Sequence, residues 1–213
     1  MTVIEEQLTF LAANLPRAPS RVLDAGCGRG GLALALRGLG HRVTAVDIEP
    51  PDDADDSVIR ADIAEFDDDP FDVVVFSLSL HHVADLTAVL TRARALLRPG
   101  GTLVVDEMAW ERADKATATW FYDMAAALGV HPVVPDPARE WLRRHRDEHQ
   151  MHTGAAMAEA VADHFTVAER TSRPYLYRYL SGFGAEHEVL EDIEHRRIDD
   201  GMLAAVGMRL IAR

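Results

Sequence analysis

Val22-Leu23-Asp24-Ala25-Gly26-Cys27-Gly28-Arg29-Gly30-Gly31 is the stretch whose reading decides the fold. Its first residues form a short apolar strand from Arg21 to Ala25, which enters a glycine cluster and then an apolar helix, Leu32 to Leu39, stopped by Gly40. Glycines between a strand and a helix let the chain turn tightly. They also let a ligand approach main-chain N–H groups at the positive end of the helix.

Reading outward, Val43 to Val46 is a second strand, Ser57 to Ala61 a short third, and Phe71 to Phe76 a fourth. The unbroken Val73-Val74-Val75 run suits a strand buried on both faces of a parallel sheet. Leu86 to Leu97 follows helical spacing through Leu86, Val89, Leu90, Ala93, Leu96 and Leu97. Pro99-Gly100-Gly101 is expected to break that helix before a fifth strand, Thr102 to Asp106. Strands alternating with helices imply right-handed βαβ units and a doubly wound α/β sheet. Ahead of this, residues 3 to 15 read as an amphipathic helix with Val3, Ile4, Leu8, Leu11 and Leu15 on one face. Residues 108 to 164 interrupt the alternation with helical sequence at about 113–128, 138–151 and 154–163, around a turn at Pro132, Pro135 and Pro137. Phe165 to Thr171 and Leu203 to Ile211 read as closing strands around a helix at about 185–198.

A chain of 213 residues, 48% hydrophobic and 27% charged, is expected to build one well-buried core. Its net charge of -13 opposes any partner recognised through phosphates, so neither nucleic acid nor an anionic membrane is expected. Part of that charge is local, in Asp52, Asp53, Asp55 and Asp56 and in Asp67, Asp68 and Asp69, two clusters read as solvated loops. Cys27 is the one cysteine, which excludes an intramolecular disulfide and suits a reducing compartment. Glu5 and Glu6 stand where a signal peptide would be basic, and no apolar run approaches a membrane span, so a cytoplasmic location is expected.

Asp47 ends the second strand about twenty residues beyond the glycines, where a carboxylate can accept both hydroxyls of a ribose. The pattern implies an adenosine-containing ligand, but not yet which one. Gly26, Gly28 and Gly31 also satisfy the dinucleotide pattern, so a nicotinamide enzyme weighs equally at this step. Three features separate the two. Asp24 would repel a pyrophosphate and attract the ammonium of a methionine moiety. Asp62, after the third strand, can accept from an adenine amino group. The sequence closes with strand, helix, strand, where a dehydrogenase would be expected to need a second half-fold and more length.

With these residues in order, the sequence resembles the class I S-adenosylmethionine-dependent methyltransferases, in particular small UbiE-like and type 11 members acting on metabolites. The matching residues are Val22 to Gly30, Val43-Thr44-Ala45-Val46-Asp47-Ile48, Ala61-Asp62-Ile63, Phe71-Asp72-Val73-Val74-Val75-Phe76 with Leu80-His81-His82-Val83, and Leu97-Arg98-Pro99-Gly100-Gly101-Thr102-Leu103. They cover residues 20–107 closely and the tail from 165 more loosely. The resemblance implies a Rossmann-like seven-stranded sheet, mostly parallel with an antiparallel last strand. It puts the methionine part of the cofactor against Gly26 and Gly28, the ribose on Asp47, and the adenine beside Asp62 and Ile63. Asp24, Cys27, Gly30, Ile48, Ser77 and Leu78 complete the implied cofactor contacts. Plainer roles stand beside these: Asp47 and Asp62 as helix caps, Cys27 as a small packing residue, Ile48 as a neighbour of the adenine. The organisation implied is a single domain over 1–213, with an N-terminal helix in 1–20, a cofactor-binding half in 21–107, a helical lid in 108–164 and closing strands and helix in 165–213.

Methyl transfer from a sulfonium is an in-line displacement, so the protein's main work is to align the acceptor and exclude water. An acceptor that must lose a proton needs a base, and histidine suits neutral pH. His82, after the fourth strand at the carboxyl edge of the sheet, is the leading catalytic candidate, and Glu107, after the fifth, is the second. Their rivals are a structural His pair beside the cofactor and a surface carboxylate. In the lid, residues 141, 145, 149 and 152 share one face of a continuous helix. Trp141, His145 and His149, with His81, Trp110 and Tyr122, are therefore expected to wall a substrate site. The rival is that Trp141 packs the lid while the histidines are solvated; with no well-placed carboxylate partner, no metal is expected. All three tryptophans lie in the lid, and Trp110, Trp120, Phe121 and Tyr122 suit a flat or apolar acceptor, with Tyr175, Tyr177 and Tyr179 in reach. The expected reaction moves a methyl group to O, N or C of a small molecule. An NAD(P)-dependent oxidoreductase and a non-catalytic S-adenosylmethionine-binding module stay open as alternatives, as does a homodimer. No Asn-Pro-Pro-Tyr or Pro-Cys motif associated with base methylation occurs in the expected positions.

Overall fold

Alternate residues of the central strands point to opposite faces of one seven-stranded sheet, and that alternation builds two apolar layers. The computed structural model describes residues 3–180 and 186–213, with side chains from Glu6 onward. In chain order its strands are β1 (Arg21–Ala25), β2 (Arg42–Asp47), β3 (Val58–Arg60), β4 (Phe71–Ser77), β5 (Leu97–Met108), β6 (Val167–Arg173) and β7 (Gly207–Ala212). They lie in the order β3-β2-β1-β4-β5-β7-β6. β7 runs antiparallel to both neighbours, while the pairs among β1 to β5 are parallel. This is the doubly wound sheet with an antiparallel final strand that the family resemblance implied.

Leu23, Ala25, Val74, Phe76, Leu103 and Val105 face α3 (Leu86–Leu96) and α6 (Gly154–His164), which supply Val89, Leu90, Met157 and Val161. Their sequence neighbours Val22, Val73, Val75 and Val104 face α1 (Val3–Asn14) and α2 (Gly31–Gly38) through Leu11, Leu32 and Leu36. A third apolar cluster caps the carboxyl edge near β5 and β7. It joins Met108, Trp110 and Trp141 to α4 (Lys115–Ala127), α7 (Tyr177–Leu180) and Leu190 of α8 (His187–Asp199). Side-chain caps set the starts of α3, α4 and α6: Asp85 accepts from Ala88 N–H, Asp114 from Thr117 N–H and Thr153 from Ala156 N–H.

Three segments differ from the sequence reading. Pro99-Gly100-Gly101 lies inside β5, which begins at Leu97; the register jumps from Phe71–Leu97 to Val73–Thr102, so these residues bulge from the strand. The helix expected at 138–151 is short: α5 (Pro137–Leu142) widens into a π-helical turn, Arg143–Glu148. Lastly, α6 ends the 108–164 segment as a sheet-covering helix packed on α3, because its Met157, Ala158 and Val161 join the main core. The helix expected from about 185 begins at His187; residue 185 itself lies outside the described residues.

Candidate functional site

Two cavities meet at Gly26, at the carboxyl ends of β1, β2 and β4. The larger, about 610 Å³, is lined by Gly26, Gly28, Asp47, Ile48, Asp62, Ile63, Leu78 and His82 among others. The smaller, about 240 Å³, is lined by Gln7, Asp24, Gly26, Cys27 and Ser77 among others. Ten of the eleven residues that the resemblance assigned to the cofactor therefore line one cavity or the other. Gly30 lines neither; a side chain there would run into Val58.

The parallel register explains the convergence. Ala25 lies opposite both Val46 and Phe76, so the next residue in each strand, Gly26, Asp47 and Ser77, leaves the sheet at the same edge. Gly26 has φ +73, and a Cβ on it would overlap the Cβ of Ser79, so only glycine lets β1 turn under the β4 loop. Gly28 has φ +54 and nothing within 4 Å of the place its Cβ would take.

Asp47 Oδ2 accepts from Gly28 N–H at 2.8 Å and Oδ1 from Glu49 N–H at 2.9 Å, which fixes the carboxylate at the cavity wall with lone pairs to spare. Asp62 Oδ1 accepts from Ala64 N–H at 2.9 Å, the capping-type turn that was its plainer reading, and Asp62 still lines the cavity. Asp24 is 2% exposed, and its Oδ2 has no hydrogen-bond partner. Burial pushes its carboxyl up to about 7, against the opposing effects of the Ala33 amide and Arg37. Burial, with the charges of Asp24 and Asp47 as lesser causes, also pushes the Cys27 thiol up to about 12, which makes it a packing group and not a nucleophile.

The two catalytic candidates part company. His82 is exposed on the wall of the larger cavity. Desolvation there and the adjacent His81 hold its pKa below the usual imidazole value, although Glu107 acts the other way. A neutral imidazole facing the cavity can accept a proton. Glu107 is fully buried; Oε1 accepts from Ser79 and Leu80 N–H at 2.8 and 2.6 Å, and Oε2 from His81 Nδ1 at 2.5 Å. It lines neither cavity, so it cannot take a proton from a molecule bound there.

None of the six residues expected to wall a substrate site lines either cavity. His81 is buried against Glu107. Trp110, Tyr122, Trp141 and His145 are 5%, 1%, 2% and 4% exposed. Trp141 Nε1 donates to Trp110 O at 2.9 Å, and Trp110 Nε1 to Met151 and His152 carbonyls at 3.3 and 3.2 Å. These are the bonds of a packed insertion. Burial lowers the His145 pKa to about 4, so that ring is neutral beside Trp141. The π-helical turn ends before His149, which is exposed, and His152 lies outside any helix or strand. Among the described residues, no group of three or more His, Cys, Asp or Glu is placed to hold a metal ion. Tyr175 and Tyr177 are buried, and Tyr179 is partly exposed beside Phe121.

Sequence reasoning passed over Gln7, Ser79 and Glu6. Gln7 Nε2 donates to Ser77 Oγ at 2.7 Å and lines the smaller cavity; Ser79 Oγ donates to Ala25 O at 2.7 Å and lines the larger. Glu6 is buried among Arg173, Arg178 and Arg209, which also reach Asp106, and so ties α1 to the closing strands. The available signal was Gln7, a polar residue at an apolar-face position of α1; Glu6, off that face, carried none.

A family model described as a methyltransferase domain matches residues 2–164 of the chain. An uncharacterized methyltransferase of Mycobacterium bovis is 41% identical over 107 residues, covering 45% of this chain and 54% of that protein. The ubiquinone biosynthesis O-methyltransferase of Xanthomonas campestris pv. campestris is 32% identical over 158 residues, covering 64% of this chain and 66% of the relative. The match thus spans from about half to two thirds of these relatives' length. The crystal structure of geranyl diphosphate C-methyltransferase from Streptomyces coelicolor A3(2), in complex with Mg2+, geranyl diphosphate and S-adenosyl-L-homocysteine, superposes with a TM-score of 0.63 at 20% identity. That superposition covers 98% of this chain and 78% of the other, and shows a shared fold.

Proposed function

The chain belongs to the methyltransferase domain family, and from that premise we propose that it transfers a methyl group from S-adenosylmethionine to O, N or C of a small molecule. The observation that carries this reading is a pair of acids on either side of one glycine turn. Asp24 keeps a buried, unpartnered oxygen beside the smaller cavity, and Asp47 stands at the wall of the larger. A zwitterionic amino acid joined to a nucleoside matches that pair, whereas a pyrophosphate would meet a carboxylate at the turn. The residues present fit such a group, since Gly28 leaves open the space a Cβ would fill.

When bound, S-adenosylmethionine supplies an electrophilic methyl group on its sulfonium. In this reading Asp47 holds the ribose, Asp62 and Ile63 flank the adenine, and Asp24 and Gly26 hold the amino-acid end near Gln7 and Ser77. His82, at the wall of the larger cavity, removes a proton from an acceptor that must lose one. The insertion between β5 and α6 covers the carboxyl edge as the lid of a single domain. No helix among the described residues is long and apolar enough to cross a membrane; the single cysteine suits a reducing compartment such as the cytoplasm.

Calorimetry with S-adenosylhomocysteine and with NADH tests the proposal. Heat of binding is expected for the first alone, and Asp47→Ala is expected to weaken it by about 10–100-fold, the worth of charge-assisted hydrogen bonds. Binding of NADH in its place, or an Asp47→Ala variant with undiminished affinity, would overturn it.

A further inference from the structure

The acid that sequence reasoning offered as a second base has a different use. Glu107 sits among apolar residues at the end of β5, where valine or leucine would satisfy the core. A buried carboxylate is costly unless donors surround it. Here every strong donor belongs to the turn after β4: Ser79 N–H, Leu80 N–H and His81 Nδ1. Without the carboxylate, the buried Leu80 N–H and the half-buried Ser79 N–H would lose their acceptor.

The same turn is held from its other side. His152, returning from the insertion, donates its backbone N–H to His81 O at 3.0 Å, and its Nε2 lies 2.8 Å from Val83 O. Just before these anchored residues Leu78 adopts φ +60, a conformation unusual for leucine, with its N–H bonded to Asp106 O at 2.9 Å. Leu78, Ser79, His82 and Val83 form one wall of the larger cavity.

We propose that Glu107 and His81 are a buried positioning pair that fixes the Leu78–Val83 turn, and through it both the cavity wall over Gly26 and the placement of the His82 ring. The inference rests on reading the larger cavity as the adenosyl site. Glu107 touches no substrate; it acts through His81, whose ring lies 4.1 Å from that of His82 at a 48° tilt. The hydrogen bond to Glu107 puts a proton on His81 Nδ1 and so selects its tautomer and ring orientation. His82 in turn is faced by His81, Glu107 and His149, and among these Glu107 alone favours its charged form.

Three variants of the full chain decide the matter: Glu107→Gln, His81→Leu and His81→Asn. Each is studied by thermal melting, by NMR titration of the His82 imidazole and by calorimetry with S-adenosylhomocysteine. His81→Leu is expected to weaken binding by about tenfold and to shift the His82 resonances, since misplacing one wall of a site is enough for such a loss. His81→Asn, whose amide N–H takes the place of Nδ1–H, is expected to restore both to within about threefold of the unaltered chain. Glu107→Gln lowers the His82 titration midpoint, because the charge that favours imidazolium is gone. If Glu107→Gln does not fold, the two His81 variants decide by themselves. The proposal is overturned if His81→Leu matches the unaltered chain in both readouts, or if His81→Asn is as impaired as His81→Leu. Should the unaltered chain give no heat with S-adenosylhomocysteine, the functional reading fails, and the His82 resonances still decide whether the pair positions that ring.

Discussion

Gly26→Ala and Gly28→Ala make the same chemical change two residues apart, and the structure assigns them opposite consequences. At Gly26 the backbone has φ +73, and the added methyl would overlap Ser79 Cβ and lie 2.9 Å from its Oγ. An L-residue in the left-handed region costs about 1–2 kcal/mol, and overpacking a tight site adds about 1–3 kcal/mol. The expected loss is therefore about 2–5 kcal/mol, or a fall in Tm of roughly 4–20 °C for a domain of this size. At Gly28 the left-handed penalty applies without a clash, because nothing lies within 4 Å of the new Cβ. Its expected loss is about 1–2 kcal/mol, roughly 2–8 °C. Gly28 lines the larger cavity, the proposed adenosyl site, so Gly28→Ala is expected to weaken S-adenosylhomocysteine binding by about tenfold or more. Differential scanning calorimetry of the ligand-free variants and isothermal titration of the same samples measure the two effects. Equal melting losses, or a Gly28→Ala variant that binds normally, would refute the assignment of one glycine to packing and the other to the ligand.

Burial holds the Asp24 carboxyl near 7, so the folded state keeps a proton that the unfolded chain releases near 4. The ligand-free protein should accordingly lose stability as pH rises from about 4 to about 7, and Asp24→Asn should flatten that slope in urea titrations. A ligand ammonium beside Asp24 would favour its ionised form, so affinity for S-adenosylhomocysteine should rise through pH 7 with release of a proton, measurable by calorimetry in buffers of different ionisation heat. Burial would raise the Glu6 carboxyl, but Arg178, Arg173, the Tyr177 hydroxyl and Arg209 together bring it down to about 2. Its contribution, on the order of 3 kcal/mol, is present above about pH 5 and is lost as pH falls toward 2; in Glu6→Gln that acid-dependent loss should disappear from the denaturation midpoints. Cys27, with its thiol pushed up to about 12, should react with iodoacetamide at pH 8 on the order of a hundredfold more slowly than in urea-unfolded chain.

The sheet was legible because burial on both faces leaves a direct mark: Val22-Leu23 and Val73-Val74-Val75 are apolar without interruption, and all are fully buried. The glycine turn and Asp47 were legible for a related reason. A βαβ unit brings the carboxyl ends of its parallel strands to one edge of the sheet, so order along the chain already implies proximity in space. The lid was less so. A helical wheel can align Trp141 with His145, but it cannot show that the ring is sealed beneath Trp110, nor that the helix widens before His149. Glu107 is the clearest case, since a carboxylate after a strand looks alike in sequence whether it faces a substrate or backbone amides.

Sequence by itself determined the fold class, the strand-ending glycines and the acid at the end of the neighbouring strand, because each depends on local backbone freedom or on a repeating apolar pattern. Tertiary structure alone decided which of two adjacent histidines meets the cavity, which carboxylate holds a turn and which keeps an unpartnered oxygen. Those roles depend on what a neighbouring element brings within about 3 Å, the reach of a hydrogen bond, and no periodicity along the chain records that.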